Sequence, residues 1–288
     1  MLLSAAMRTP AAALLISLAA CGSPGDAPID GGPLLDAGDG SFRIDKVGTI
    51  NLIEGSFLGV YALVQDRPEL PTPVAIAQVG DCTVFRRPAP ALCDPACTDG
   101  VCTAPGACTP YAQNASAGRI TIGGLRAPLT FVPGAFGYVP EPAPSGDDLF
   151  DPGAAITVSA PGDVTPAFSV SLDAPATLEA PFQNLTLRDG VDATVTWTAG
   201  AGGAGSIQVA LLVGWHGAPP EATMICETAD DGSLTIPGAL VTALPRASSG
   251  LESHPSWILR FDRAVVAAPA GPIEVVAGSQ LGLYFTHP

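Results

Sequence analysis

An all-β protein built as two sandwich-like units is what this sequence predicts, and three observations carry the expectation. Glycine and proline number 33 and 30 among the 288 residues, about a fifth of the chain where about an eighth is ordinary. They interrupt every apolar run, so long helices are nearly excluded. The apolar stretches left between them are short and rich in Val, Ile and Thr, and several alternate with polar residues, the period of a half-buried strand. In the second half turn residues recur at intervals of roughly 8 to 15 residues, the spacing of a sandwich.

The chain begins with Arg8 and a ten-residue apolar run, Ala11 to Ala20, ending in Leu18-Ala19-Ala20-Cys21. A charged start, a short apolar core and small residues before a cleavage point describe a secretory signal over residues 1–20. Ten residues are too few to span about 30 Å of hydrocarbon. Met7 serves equally well as a start, since Met7-Arg8-Thr9-Pro10 is itself a charged leader. A cysteine directly after the small residues resembles the lipobox of bacterial lipoproteins processed by signal peptidase II. That resemblance implies that Cys21 is lipidated and becomes the first residue of the mature chain. Two or more acyl chains hold stably in a membrane, where one binds only marginally. It also implies a cell-envelope location with the membrane as a partner through Cys21. Gly22 and Ser23 lack the Asp that retains many such proteins in the inner membrane, which favours the outer one. The larger pattern is similar to Gram-negative surface lipoproteins, a likeness that implies a location and no activity.

Residues 21–41 read as a tether. Gly22 to Ser41 is rich in Gly, Pro and Asp and offers little to bury, so disorder is expected there. Asp36 to Ser41 lacks the alternating Asp ladder and closing Glu of a calcium loop.

The first unit is expected over 42–174. Its strands are Lys46 to Leu52, Phe57 to Val64, Pro73 to Gln78 and Asp81 to Phe85, then Arg119 to Ile122, Pro128 to Val132 and Ala135 to Val139, and last Ala154 to Ser159 and Ala167 to Leu172. A Cys-rich insertion occupies about 82–108, and Glu141 to Asp151 is a surface loop.

The second unit covers 175–288. Strands are expected at Thr177 to Ala180, Asn184 to Arg188, Ala193 to Thr198, Ser206 to Val213, Thr223 to Thr228, Ser233 to Ile236, Trp257 to Val266, Ile273 to Val276 and Gln280 to Phe285. Asp230-Asp231-Gly232 reads as a hairpin turn, because Asp and Gly tolerate positive φ. Pro237 to Leu244 alone hints at a helical turn. Ala193 to Thr198, with Trp197 between a short apolar strand and a Gly-rich loop, resembles the early strands of fibronectin type III or immunoglobulin-like modules. In those modules such a tryptophan is core.

Charge excludes some functions. With 12 Lys+Arg against 27 Asp+Glu the net charge is −15, and no basic cluster interrupts it. Nucleic acid and electrostatic adhesion to anionic lipid are therefore not expected as partners; the acidity suits a soluble exported domain.

Six cysteines follow Cys21. In an exported chain they should be oxidised. Cys93, Cys97, Cys102 and Cys108 form a four-cysteine cluster in a segment with no core of its own. Four thiolates within sixteen residues also suit zinc, but zinc sites favour C-x₂-C pairs and these spacings are three, four and five; disulfides are the preferred reading. Parity leaves Cys82 and Cys226. A Cys82–Cys226 disulfide joining the two units stands beside a buried, free Cys226 acting as a small hydrophobe, with Cys82 free or bonded to another chain.

No nucleophile elbow, zinc-protease helix or phosphate-cradling loop is present, and the three histidines, His216, His254 and His287, are scattered. No catalytic residue, metal or cofactor is assigned. Asp147/Asp148 and Asp230/Asp231 sit in turns and are expected to be solvated. Trp197 and Trp257 alternate on strands and read as core. Trp215, next to His216 in Gly214-Trp215-His216-Gly217-Ala218-Pro219-Pro220, has little around it to bury it. Packing into the core or against its own loop is the preferred reading of this tryptophan; stacking on a sugar ring or anchoring a protein partner is the alternative. The leading expectation is a non-enzymatic interaction module for protein or glycan, with Trp215 and His216 as candidate binding residues. A hydrolase of envelope or extracellular polymers using His216 or His254, and a structural envelope component, are the alternatives.

Overall fold

The computed structural model describes residues 46–288 except 56–58, 90, 145–147, 201–204, 216–217, 247–250 and 254. Cys21, the signal and the tether therefore lie outside the described residues, as do His216 and His254. The described strands are β1 (Gly48–Gly55), β2 (Gly59–Val64), β3 (Val74–Val79), β4 (Cys82–Arg86), β5 (Gly100–Ala104), β6 (Ala107–Pro110), β7 (Ile120–Gly123), β8 (Leu129–Gly134), β9 (Gly137–Glu141) and β10 (Ala155–Ala160). They continue with β11 (Phe168–Asp173), β12 (Asn184–Thr186), β13 (Ala193–Thr196), β14 (Ser206–Trp215), β15 (Pro220–Ala229), β16 (Ser233–Ile236), β17 (Leu251–Ser253), β18 (Ser256–Ala268) and β19 (Gly271–Thr286). One short helix, α1 (Gly238–Ala243), stands where Pro237 to Leu244 suggests a helical turn.

Ten of these strands form one sheet, in the order β2-β1-β19-β18-β14-β15-β4-β3, with β12 added beside β19 and β17 beside β14. Its middle is antiparallel, but β1 runs parallel to β19, with Ile50 opposite Val275 and Leu52 opposite Ala277. A five-stranded sheet, β11-β10-β7-β8-β9, and the pairs β13-β16 and β5-β6 complete the described strands.

Alternation along the strands puts two cores on one face of the large sheet. Ile50 and Leu52 of β1 and Ile273, Val275 and Ala277 of β19 pack with Ile120, Phe131, Ile156 and Val158 of the five-stranded sheet. Farther along the same face, Val209, Leu211, Met224, Ile258, Leu283 and Phe285 pack with Val195, Leu234, Ile236 and, from α1, Leu240 and Val241. Full burial of such side chains is worth about 1.5–3 kcal/mol each. The two sandwich-like units are thus adjacent on a shared sheet. The two cores share strands across residues 174/175: β4 contributes Cys82 and Val84 to the second core, and β19 serves both.

Several elements differ from expectation. Ile273 to Val276 and Gln280 to Phe285 are one strand, β19, because Gly278 continues it: a Cβ there would lie 2.6 Å from Leu259 Cδ1. The glycine serves a close approach, not a turn. Thr177 to Ala180 forms no strand; Leu178 is instead buried in the second core, its N–H donating to Ser279 Oγ at 2.9 Å. Asp230-Asp231-Gly232 is no hairpin turn, since β15 before it and β16 after it belong to different sheets. The pair β5-β6 within the Cys-rich insertion was not expected as strands, nor was β17.

A candidate interaction surface at Trp215

Strands β14 and β15 are continuously apolar through their middles and buried on both faces, which holds their connecting end on a stiff base. The pairing slips between Val213 and Gly214, and Gly214 then meets Pro220. Such an irregularity re-aims the side chain that follows it, and that residue is Trp215. Its carbonyl accepts from the Ala218 N–H at 3.0 Å. Trp215 is 51% exposed, and its indole Nε1–H donates to Glu221 Oε2 at 3.1 Å. The other oxygen of Glu221 accepts from Arg86 Nη2 at 2.7 Å. An ion pair this open contributes little stability, about 0–1 kcal/mol. Its effect is positional: the N–H edge of the indole is held while the residue stays half exposed. Arg86 in turn pairs in register with Val74 on edge strand β3, where Val74, Ile76 and Val79 are exposed. A row of aromatic, ionic and apolar groups therefore runs from Trp215 to the sheet edge.

An exposed aromatic pair lies beside β12 and the end of β19. Phe182 and Tyr284, 79% and 56% exposed, have ring centroids 5.7 Å apart.

The cysteines pair completely among the described residues. Cys82 and Cys226 face each other in register on β4 and β15, with Cα atoms 3.9 Å apart, and are bonded. Cys93 joins Cys102 and Cys97 joins Cys108, each with Cα atoms 5.7 Å apart. The sulfurs of Cys93, Cys97 and Cys102 lie within 4.8 Å of one another. Each is in a disulfide, however, so none offers zinc a thiolate. The β5-β6 hairpin that these bonds enclose is mostly exposed.

Trp197 and Trp257 each donate an indole N–H inside the fold. Trp197 is buried and bonds Asp230 Oδ1 at 2.7 Å; Trp257 is half-buried and bonds Gln208 Oε1 at 3.0 Å. Two polar clusters were not foreseen. Asp230, expected to be solvated, is buried and also accepts from the Gly200 N–H at 3.0 Å and from Arg260. A Cβ on residue 200 would lie 2.4 Å from Asp230 Oδ2, so this approach requires Gly200. The second cluster is at the C-terminus: buried His287 contacts Asp189 Oδ1 through Nε2 at 3.0 Å, and Asp189 also pairs with Arg246. The hydrogen bond from Arg246, and then the one from His287, hold the Asp189 carboxyl below the usual carboxylate range. No local motif marks either cluster, because the partners are 30 to 98 residues apart.

A half-exposed indole stacks on the apolar face of a sugar ring or fills a pocket on a partner, and Glu221 beside it accepts hydrogen bonds. Scans of protein-family models, curated proteins and solved structures find no match to this chain.

Proposed function

We propose that the protein is a non-enzymatic interaction module of the cell envelope, anchored by acyl chains on Cys21, by preference in the outer membrane, and presenting Trp215 to a protein or glycan partner. The observation that supports this reading best is Trp215, half exposed while Glu221, itself paired with Arg86, holds its indole N–H. Tryptophan is among the residues most enriched where binding energy concentrates, and a pre-set rotamer lowers the entropy lost on binding. The acidic surface, net charge −15, keeps such a domain soluble at the end of its anchor.

The test is capture on immobilised envelope polysaccharides and on envelope proteins, comparing the native chain with Trp215→Ala and Trp215→Phe. The reading expects one of the two arrays to retain the native chain. Trp215→Ala should weaken that capture at least about tenfold, in keeping with a loss above 1.4 kcal/mol, and Trp215→Phe should weaken it less. Equal capture of all three chains would refute the assignment of Trp215.

A further inference from the structure

The two ends of the large sheet are unlike. At one end β2 is flanked by β9: a Cβ on Gly137 of β9 would lie 3.4 Å from the Ala62 carbonyl oxygen of β2. At the other end β3 is the last strand, and five of its six residues are exposed. An edge strand offers a row of unpaired N–H and C=O groups, and proteins commonly guard it with lysine, proline or an inward-pointing charge. Val74-Ala75-Ile76-Ala77-Gln78-Val79 has none of these. Its one irregularity is a bulge at Ile76, and Ile76 is itself exposed, as are Val74 and Val79. The edge is also held from behind. Val79 pairs with Cys82 across the Gly80-Asp81 turn, and Cys82 is bonded to Cys226 on β15. A strand pre-set in this way loses little entropy when another strand adds to it.

We propose that β3 pairs with β3 of a second copy, antiparallel about a two-fold axis near Ile76 and Ala77, so that one sheet runs through both molecules. Charge selects this occupant and this direction. The strand is uncharged, so two copies of a chain with net charge −15 meet there without like charges facing each other. The ends of the β3-β4 hairpin carry opposite signs: Asp81 lies in the turn, and Arg86 and Arg87 lie at the other end, where Arg86 pairs with Val74. Arg86 is engaged by Glu221. The side chains of Asp81 and Arg87 have no partner among the described residues, and Arg87 Nε is buried without a hydrogen bond. Antiparallel pairing sets Val74 of one copy against Val79 of the other. It brings the Asp81 turn of each copy to the Arg87 end of the other, two to three strand spacings away, about 10–14 Å between Cα atoms at ~4.8 Å per strand. An arginine side chain closes most of that gap. Parallel pairing would instead set Asp81 beside Asp81 and Arg87 beside Arg87. A two-fold contact is isologous and closed, so assembly stops at two copies.

The pairing rests neither on Trp215 nor on lipidation of Cys21, so its test is separate. Sedimentation velocity of the purified full chain should show a reversible doubling of mass as concentration rises. Ile76→Lys, at an exposed position, should give monomers at every concentration, with the near-UV circular dichroism of buried Trp197 unchanged. Arg87→Glu and Asp81→Arg should each raise the dimer dissociation constant at least about tenfold, since each sets like charges together twice across the axis. The double variant Arg87→Glu/Asp81→Arg should restore the native value. A native chain that stays monomeric would overturn the proposal, as would a dimer that Ile76→Lys leaves intact. A double variant as weak as the single ones would exclude the antiparallel two-fold. A monomer that captures an envelope protein through Ile76 would assign the edge to a different partner and equally overturn the proposal.

Discussion

Arg260 grips Asp230 with two parallel hydrogen bonds, Nε to Oδ2 at 2.8 Å and Nη2 to Oδ1 at 3.1 Å, both side chains being buried. The remaining guanidinium capacity goes to the carbonyls of Thr177 at 2.8 Å and Thr198 at 2.6 Å. Asp230 also holds the indole of Trp197. One bidentate pair thereby ties β18 to three irregular segments that close the second core.

Breaking this pair from one side leaves a buried charge without its partner. Asp230→Ala or Arg260→Ala should each cost about 3–5 kcal/mol, read as a fall in the urea midpoint. The adjacent Asp231→Ala, at an exposed position, should stay within about 0.5 kcal/mol. Equal effects at the two aspartates would contradict the assignment of Asp230 as the buried hub.

Removing the Cys82–Cys226 bond should also destabilise the fold. The bond closes a sequence separation of 144 residues, for which chain entropy gives a contribution near 5 kcal/mol. Cys82→Ala/Cys226→Ala should lose about 2–5 kcal/mol in thermal or denaturant unfolding. Peptide mapping without reductant should recover Cys82 linked to Cys226, Cys93 to Cys102 and Cys97 to Cys108. A native Cys226 that accepts an alkylating reagent before reduction would contradict the pairing.

These two cases mark what was legible in the sequence. Cysteine parity left Cys82 and Cys226 over, on strand-like segments, and so raised their pairing as one of two readings; the structure bonds them across adjacent strands. Ser233 to Ile236 was legible to the residue because it alternates between an Asp-Gly turn and a proline. The exposure of Trp215 was legible only in part: Gly and Pro on both sides leave it little to pack on, yet core or loop packing was the preferred reading, and the side chain is half exposed. Asp230 was not, because Asp-Asp-Gly carries a turn's local signal whichever way the first carboxylate points. What turns it inward is Arg260, thirty residues on. Nor was the parallel pairing of β1 with β19: it joins opposite ends of the chain, and strand periodicity says nothing about partners. Gly278 read as a break because the sequence cannot show that Leu259 presses against it.

Stability should fall in acid partly through Asp189. Its folded pKa is lowered by Arg246 and His287, so its contribution is full above the ordinary carboxylate value near 4 and is lost as pH drops through the lower folded value. Asp66 acts in the same direction, lowered by the Arg67 hydrogen bond and then by the Gln113 N–H. Asp189→Asn should therefore flatten the acid limb of a stability–pH profile below about pH 4, with no change in slope between pH 6 and 8 that Asp189 itself could cause. An acid limb as steep as that of the native chain would exclude Asp189 as a contributor.

Replacing Cys21 with Ser should leave unprocessed precursor and abolish incorporation of labelled fatty acid, while the disulfides and the folded sheets persist. A Cys21→Ser chain that is still cut after Ala20 and still sediments with membranes would contradict lipidation at this residue.

The proposed envelope location and membrane anchor both rest on the chemical nature of the mature N-terminus. Mass spectrometry of the N-terminal peptide from protein extracted from membranes reads it in one step. The expected result is a chain that begins at Cys21 and carries two or three acyl groups. A chain that begins elsewhere, or at an unmodified Cys21, would contradict the lipid-anchored reading.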